Sequence, residues 1–196
     1  MDNGYNVLAY DQRSSGENTA PYTTYGYWES RDLKDCLTYV NKLIGSDRNI
    51  VLWGASFGGG TVGNLLADTL ANRRVKAVVM DCPIGGIRDM LRLSMEKMDL
   101  LLPVGYMLWC GNLMTKLKLG FNFDDTRVTK YAAKTNIPVL IFNSDGDTVT
   151  PAFIGQDIFD AVPHNDKAIY TAKESQHCRV RRDHTEDYIS YLLKFI

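Results

Sequence analysis

Short apolar runs alternate along this chain with longer segments whose apolar residues recur every three or four positions. Val7-Leu-Ala-Tyr10, Ile50-Val-Leu-Trp53, Val75-Lys-Ala-Val-Val-Met80 and Ile137-Pro-Val-Leu-Ile-Phe142 read as buried strands, with Ala168-Ile-Tyr-Thr171 a weaker fifth. The first is stopped by Asp11-Gln-Arg-Ser-Ser-Gly16, and Pro138 sits near the start of the fourth, where a strand tolerates it. Between the runs, Leu33, Leu37, Val40 and Ile44 place one apolar stripe on a helix over 30–44, with Ser30 as its N-cap. Val62, Leu65, Leu66, Thr69 and Leu70 predict a second helix that ends before Arg73. Tyr188, Leu192 and Phe195 predict a terminal one, its stripe broadened by Ile189, Leu193 and Ile196. Strand and helix in alternation predict an α/β domain with a mostly parallel sheet covered by helices.

The rhythm breaks between Pro83 and Lys134. Five of the seven methionines fall between Pro83 and Met114, among Ile84, Ile87, Leu91, Leu100-Leu-Leu102 and Trp109, a deformable apolar surface. Two readings stand: an irregular helical core, or a helical cap over an apolar pocket. No repeat or linker divides the chain, so residues 1–196 read as one domain carrying a helical insertion at 83–134.

Composition narrows the functional classes. At 196 residues one core can be buried without disulfide or metal staples. The 22 Lys and Arg against 23 Asp and Glu leave a net charge of -1, with no overall basic field for nucleic acid. Cys36, Cys82, Cys110 and Cys178 are far apart, without metal-ligand spacing or a disulfide framework, which fits a reduced, cytoplasmic protein. The first residues lack the basic and apolar parts of a signal peptide, and no apolar stretch reaches membrane-spanning length. No nicotinamide fingerprint, phosphate loop with lysine or metal cluster is present in the pattern, so no cofactor is expected.

The sharpest chemical signal is Gly54-Ala-Ser56-Phe-Gly58, followed by Gly59 and Gly60. A strand precedes it and a helix follows. In that setting Gly54 and Gly58 relieve crowding at an abrupt turn whose apex exposes the Ser56 hydroxyl. A serine nucleophile needs a base and a group that orients the base. Of the three histidines, His177 follows the weak fifth strand on a loop that can reach across the sheet edge. His184 reads as a solvated residue opening the last helix, and His164 as a turn residue. For the acid, the strand at 137–142 runs into Asn143-Ser-Asp145-Gly-Asp147-Thr-Val-Thr-Pro151, which puts a carboxylate near a strand's carboxyl end. Asp147 is favoured, with Asp145 and Asp81 as alternatives, and Thr150-Pro151 read as the cap and first turn of the next helix.

With the order Ser56, Asp147, His177, the chain resembles the α/β-hydrolase superfamily, in particular capped serine esterases, lipases or acyl peptidases, from Tyr5 to Phe195. Val7 to Gly16 looks like the segment preceding the nucleophile strand, with Asp11, Arg13 and Gly16 shaping a loop. The resemblance implies a serine hydrolase in which the Phe57 backbone N–H is one oxyanion donor. It also implies earlier strands and a glycine-rich loop carrying a second donor; this chain begins near what resembles the fourth strand, so a truncated relative is expected. The substrate expected is a small carboxylic ester with a modest apolar acyl group; an amide or peptide, or a noncatalytic interaction role, is the alternative. The sheet edge left open by absent strands favours a homo-oligomer.

Overall fold

The computed structural model describes residues 4–45 and 48–196. Four strands, β1 (Ile50–Ala55), β2 (Val75–Asp81), β3 (Val139–Ser144) and β4 (Lys167–Ala172), form one parallel sheet in the order β1-β2-β3-β4. Gly54 lies opposite Met80 and Ala55 opposite Asp81, Val79 opposite Leu140, and Asn143 opposite Thr171, so the strands' carboxyl ends align at one rim.

Strand alternation divides the core. Val78, Met80, Val139 and Ile141 point into a layer shared with Leu33, Leu37, Val62 and Leu66, under α1 (Tyr27–Ile44), α2 (Phe57–Asn64), α6 (Val128–Ala132) and α7 (Ala152–Ala161). Val79, Leu140 and Phe142 point the other way, against Val180 and Tyr188 of α8 (Val180–Asp183) and α9 (Thr185–Phe195). A stretch buried on both faces, such as the wholly buried β3, reads in sequence as a continuous apolar run for this reason.

Several predicted boundaries move. Val7–Tyr10 forms no strand: the segment has no ladder partner among the described residues, and Val7 and Leu8 are 69% and 50% exposed. A groove of about 920 Å³ separates it from β1, lined by Tyr5, Leu8, Leu37, Ile50 and Leu52 among others. Helix α1 begins at Tyr27, not Ser30. Gly26, at φ 99°, caps it, and the fully buried Glu29 carboxylate accepts from the N–H of Thr24 and of Gly26 and from the Thr24 hydroxyl. Ser30 sits inside the helix with its hydroxyl donating to the Tyr27 carbonyl.

The single helix expected after the glycines is two. Asp68 accepts from the N–H of Leu70 and Ala71 and starts α3 (Thr69–Arg74) afresh. The terminal stripe is narrower than expected, because Tyr188 is buried while Ile189 and Leu193 are exposed.

Residues 83–134 hold α4 (Ile87–Met95), α5 (Val104–Leu119), a 3-10 turn at Phe123–Thr126 and α6. Ile87, Leu108, Phe121 and Phe123 make a small core of their own, and Phe121 stacks on Tyr27 with ring centroids 4.3 Å apart. The outer side of α5 is apolar but open: Tyr106, Trp109, Leu113, Met114 and Leu117 are all exposed. No helix among the described residues is long and apolar enough to cross a membrane.

Candidate active site

The sequence turns sharply between β1 and α2. Ser56 occupies φ 50°, ψ -111°, a conformation costly for an L residue, and three backbone bonds hold it there. Its N–H donates to the Asp81 carbonyl at 2.8 Å, and its carbonyl accepts from Gly60 at 3.1 Å and Ile84 at 3.2 Å. Gly54 is needed for the turn, since a Cβ there would lie 2.2 Å from the Gly58 carbonyl oxygen. Gly58 is not, as a Cβ on it meets nothing within 4 Å. Instead Gly59 permits the close approach, with Pro83 Cα 2.9 Å from where its Cβ would be. The pentapeptide thus marks the turn correctly, while one of its glycines has a different neighbour in the steric role.

The other two groups arrive from the carboxyl ends of β3 and β4. His177, on the loop after β4, has Nε2 2.8 Å from Ser56 Oγ and Nδ1 2.7 Å from Asp147 Oδ2. The three side chains form the connected series of a serine–histidine–aspartate triad. Asp147 is buried and fixed from several sides. Its Oδ1 accepts the N–H of Val149 and Thr150, each at 2.8 Å, and Thr150 Oγ1 lies 2.9 Å from Oδ2. Burial opposes ionisation of Asp147, but the bonds from His177, Thr150 and Val149 outweigh it and hold its pKa below the usual carboxylate value. The bond to Asp147, and then the contact with Cys178, raise the pKa of His177 above that of free imidazole. In the neutral ring the bond to Asp147 places the proton on Nδ1 and leaves Nε2 to accept from the Ser56 hydroxyl, the tautomer a general base requires.

The remaining predicted residues fall outside this series. Asp145 is exposed and uses its N–H to bond the Ala172 carbonyl. Asp81 is buried beneath the turn with Oδ1 unpartnered among the described residues, and burial pushes its pKa up to about 6, aided by the nearby Cys178. His184 is the N-cap residue of α9 without a side-chain cap bond, its Nε2 lying instead 2.8 Å from the Lys173 carbonyl, and His164 lies at a bend between α7 and β4. Asp11 accepts the Glu17 N–H and packs beneath Gly16, while Arg13 makes a two-bond pair with Asp32 at 2.8 Å; both shape the loop. Phe57 opens α2, so its N–H has no acceptor within the helix and lies beside Ser56.

Three site neighbours were not predicted. Thr150 is not the cap of α7, whose N-cap is Pro151; its hydroxyl reaches Asp147 Oδ2, the Cys82 carbonyl and His177 Nδ1 at 2.9–3.0 Å. Cys178 Sγ is 3.5 Å from His177 Nε2. Cys82 Sγ is 3.5 Å from the hydroxyl of Ser144, a buried residue ending β3 that takes no part in the triad series. A bond from the Cys82 thiol, with His177 alongside, lowers the pKa of Cys178 well below an ordinary thiol, against the effect of burial.

The groove at β1 is not the site: none of Ser56, Asp147 and His177 lines it. Apolar surface instead adjoins the triad from the insertion. Lys97 Nζ donates to the Thr148 carbonyl at 2.8 Å, tying the end of α4 to the acid loop. Exposed Met98 and exposed Val149 are the next residues along the chain on either side of that bond.

A sequence model of the alpha/beta hydrolase fold matches residues 1–109. Among solved structures, the esterase Pf2001 of Pyrococcus furiosus superposes with a TM-score of 0.73 at 20% identity, over 98% of this chain and 70% of that one. A monoacylglycerol lipase of Paleococcus ferrophilus does so with 0.62 at 15% identity, over 94% and 80%. The uncharacterised protein YqkD of Bacillus subtilis (strain 168) is 24% identical over all 196 residues, which span 63% of its length. With the nucleophile turn, the parallel sheet and the matched family model together, the chain belongs to the alpha/beta hydrolase fold family.

Proposed function

We propose that this protein is a serine hydrolase that cleaves small carboxylic esters through an acyl-serine intermediate. The observation that carries the reading is the unbroken series Ser56 Oγ, His177 Nε2, His177 Nδ1, Asp147 Oδ2, with both links at 2.7–2.8 Å. As Ser56 Oγ attacks the ester carbonyl carbon, His177 Nε2 takes the hydroxyl proton. Asp147 keeps the ring in register and stabilises the imidazolium that forms. The Phe57 N–H donates to the developing oxyanion, an interaction whose loss costs about 3–4 kcal/mol in related sites. The imidazolium then returns its proton to the departing alkoxide. Water, deprotonated by the same nitrogen, releases the acid from Ser56.

The insertion at 83–134 serves as a cap on the acyl side. Exposed Met98 and Val149, flanking the Lys97–Thr148 bond next to Asp147, supply apolar surface beside a polar centre, which suits a hydrocarbon acyl or alcohol group. An ester is favoured over an amide because an alkoxide is the better leaving group and asks less of the proton that His177 returns.

The test is turnover of p-nitrophenyl esters of graded chain length, with matched anilides, by the full chain and by His177→Ala. Ester hydrolysis lost in the variant supports the assignment. Hydrolysis equal in both proteins refutes it, and faster cleavage of the anilide moves the assignment to an amidase.

A further inference from the structure

Two cysteines far apart in sequence converge on the imidazole. Cys82 directly follows β2 and Cys178 directly follows His177, and both backbones sit at positive φ, 46° and 55°. Their Sγ atoms and a ring nitrogen of His177 all lie within 4.8 Å of one another, and neither cysteine is in a disulfide.

A tetrahedral Zn²⁺ holds thiolate sulfur at about 2.3 Å and imidazole nitrogen at about 2.0–2.1 Å, so its ligand atoms stand about 3.6 Å (S to N) and about 3.8 Å (S to S) apart. Cys178 Sγ is already 3.5 Å from Nε2. The widest separation in the cluster needs to close by only about 1 Å to reach the tetrahedral edge. Nδ1 is committed to Asp147 at 2.7 Å, so the nitrogen offered is Nε2. A carboxylate holding the far nitrogen of a ligating imidazole is the usual outer support of a zinc histidine. Ser144 Oγ, 3.5 Å from Cys82 Sγ, gives one sulfur a polar neighbour as well. Two thiolates with one imidazole select Zn²⁺ over Mg²⁺ or Ca²⁺, which prefer oxygen.

We propose that Cys82, Cys178 and His177 Nε2 form a Zn²⁺ site built over the triad, whose occupancy silences it. Binding releases to solvent the protons still held by the two sulfurs and by Nε2, leaves the metal's fourth position to water and changes no oxidation state. The silencing rests on the hydrolase reading: the lone pair given to zinc is the one that would receive the Ser56 proton, and Ser56 Oγ stands 2.8 Å away.

The experiment uses the reduced, metal-free full chain titrated with Co²⁺ as a visible stand-in, then with Zn²⁺ as competitor. The parent is expected to bind one Co²⁺ with a thiolate-to-metal charge-transfer band that Zn²⁺ abolishes. The band disappears, or its midpoint weakens by at least about 10-fold, in Cys178→Ser and Cys82→Ser, which each lose a ligand, more than the loss of an outer partner costs, and persists in Cys36→Ser and Cys110→Ser. Cys178 is partly exposed, so its variant decides the matter even where Cys82→Ser fails to fold. A parent without the band, or a band undiminished in Cys178→Ser, overturns the site. In parallel, one equivalent of Zn²⁺ stops fluorophosphonate labelling of the parent but not of Cys178→Ser. Labelling undisturbed in a parent that shows the band overturns the silencing. A parent that never labels overturns the hydrolase reading and leaves the band to decide the metal site.

Discussion

The strain at Ser56 can be weighed by comparing two substitutions that both remove its hydroxyl. Alanine retains a Cβ at φ 50°, ψ -111°, and glycine does not. A non-glycine residue held in such a conformation costs about 1–3 kcal/mol, and the bonds from Ser56 N–H to Asp81 and from Gly60 and Ile84 to its carbonyl keep the turn from relaxing. Against this, glycine loses about 0.4–1 kcal/mol more chain entropy on folding. The balance favours Ser56→Gly over Ser56→Ala by roughly 0.5–2 kcal/mol. For a domain of this size that corresponds to a thermal midpoint higher by roughly 1–8 °C, measured by circular dichroism with urea unfolding as a second reading. Because the hydroxyl's bond to His177 is absent from both variants, the comparison isolates the backbone. Equal stabilities, or a less stable glycine variant, would refute the claim that the turn stores strain.

Other consequences are equally measurable. Gly54→Ala puts a Cβ 2.2 Å from a backbone oxygen that cannot swing away, so it should destabilise the chain by about 3 kcal/mol or more and abolish labelling together. Asp147→Asn removes the anion that most raises the His177 pKa; the acidic limb of the labelling rate against pH should move down toward that of free imidazole, while the plateau falls by about 10⁴. Asp81 has its pKa raised from 3.8 to about 6, so its burial penalty is absent below pH 4, grows through that interval and is complete above it. Stability from urea titrations should therefore fall by about 3 kcal/mol across that window, and Asp81→Asn should flatten the curve. Thr150→Val removes the one hydroxyl proton within reach of both Asp147 Oδ2 and the Cys82 carbonyl, at about 1–3 kcal/mol, read by thermal unfolding.

What was legible in the sequence is what local chemistry dictates. Strands β1 to β3, buried on one or both faces, announce themselves as apolar runs, and the triad residues lie at strand ends followed by polar loops, where a parallel sheet gathers its sites. Val7–Tyr10 misleads because an apolar run specifies willingness to pair, and pairing needs a neighbour that this segment lacks among the described residues. Ser30 and Thr150 are good capping residues by type, yet Gly26 and Pro151 hold those ends, leaving Thr150 to serve the acid loop. Cys82 and Cys178 could not be joined from spacing, since only the adjacency of β2, β3 and β4 brings their loops together.

Hydrolysis at this site depends on one hydroxyl being activated by one imidazole. Treating the metal-free full chain with a fluorophosphonate and mapping the adduct by peptide mass spectrometry tests this most directly. One adduct per chain, on Ser56 and lost in His177→Ala, is the predicted result; a folded protein that stays unlabelled, or carries its adduct elsewhere, would contradict it.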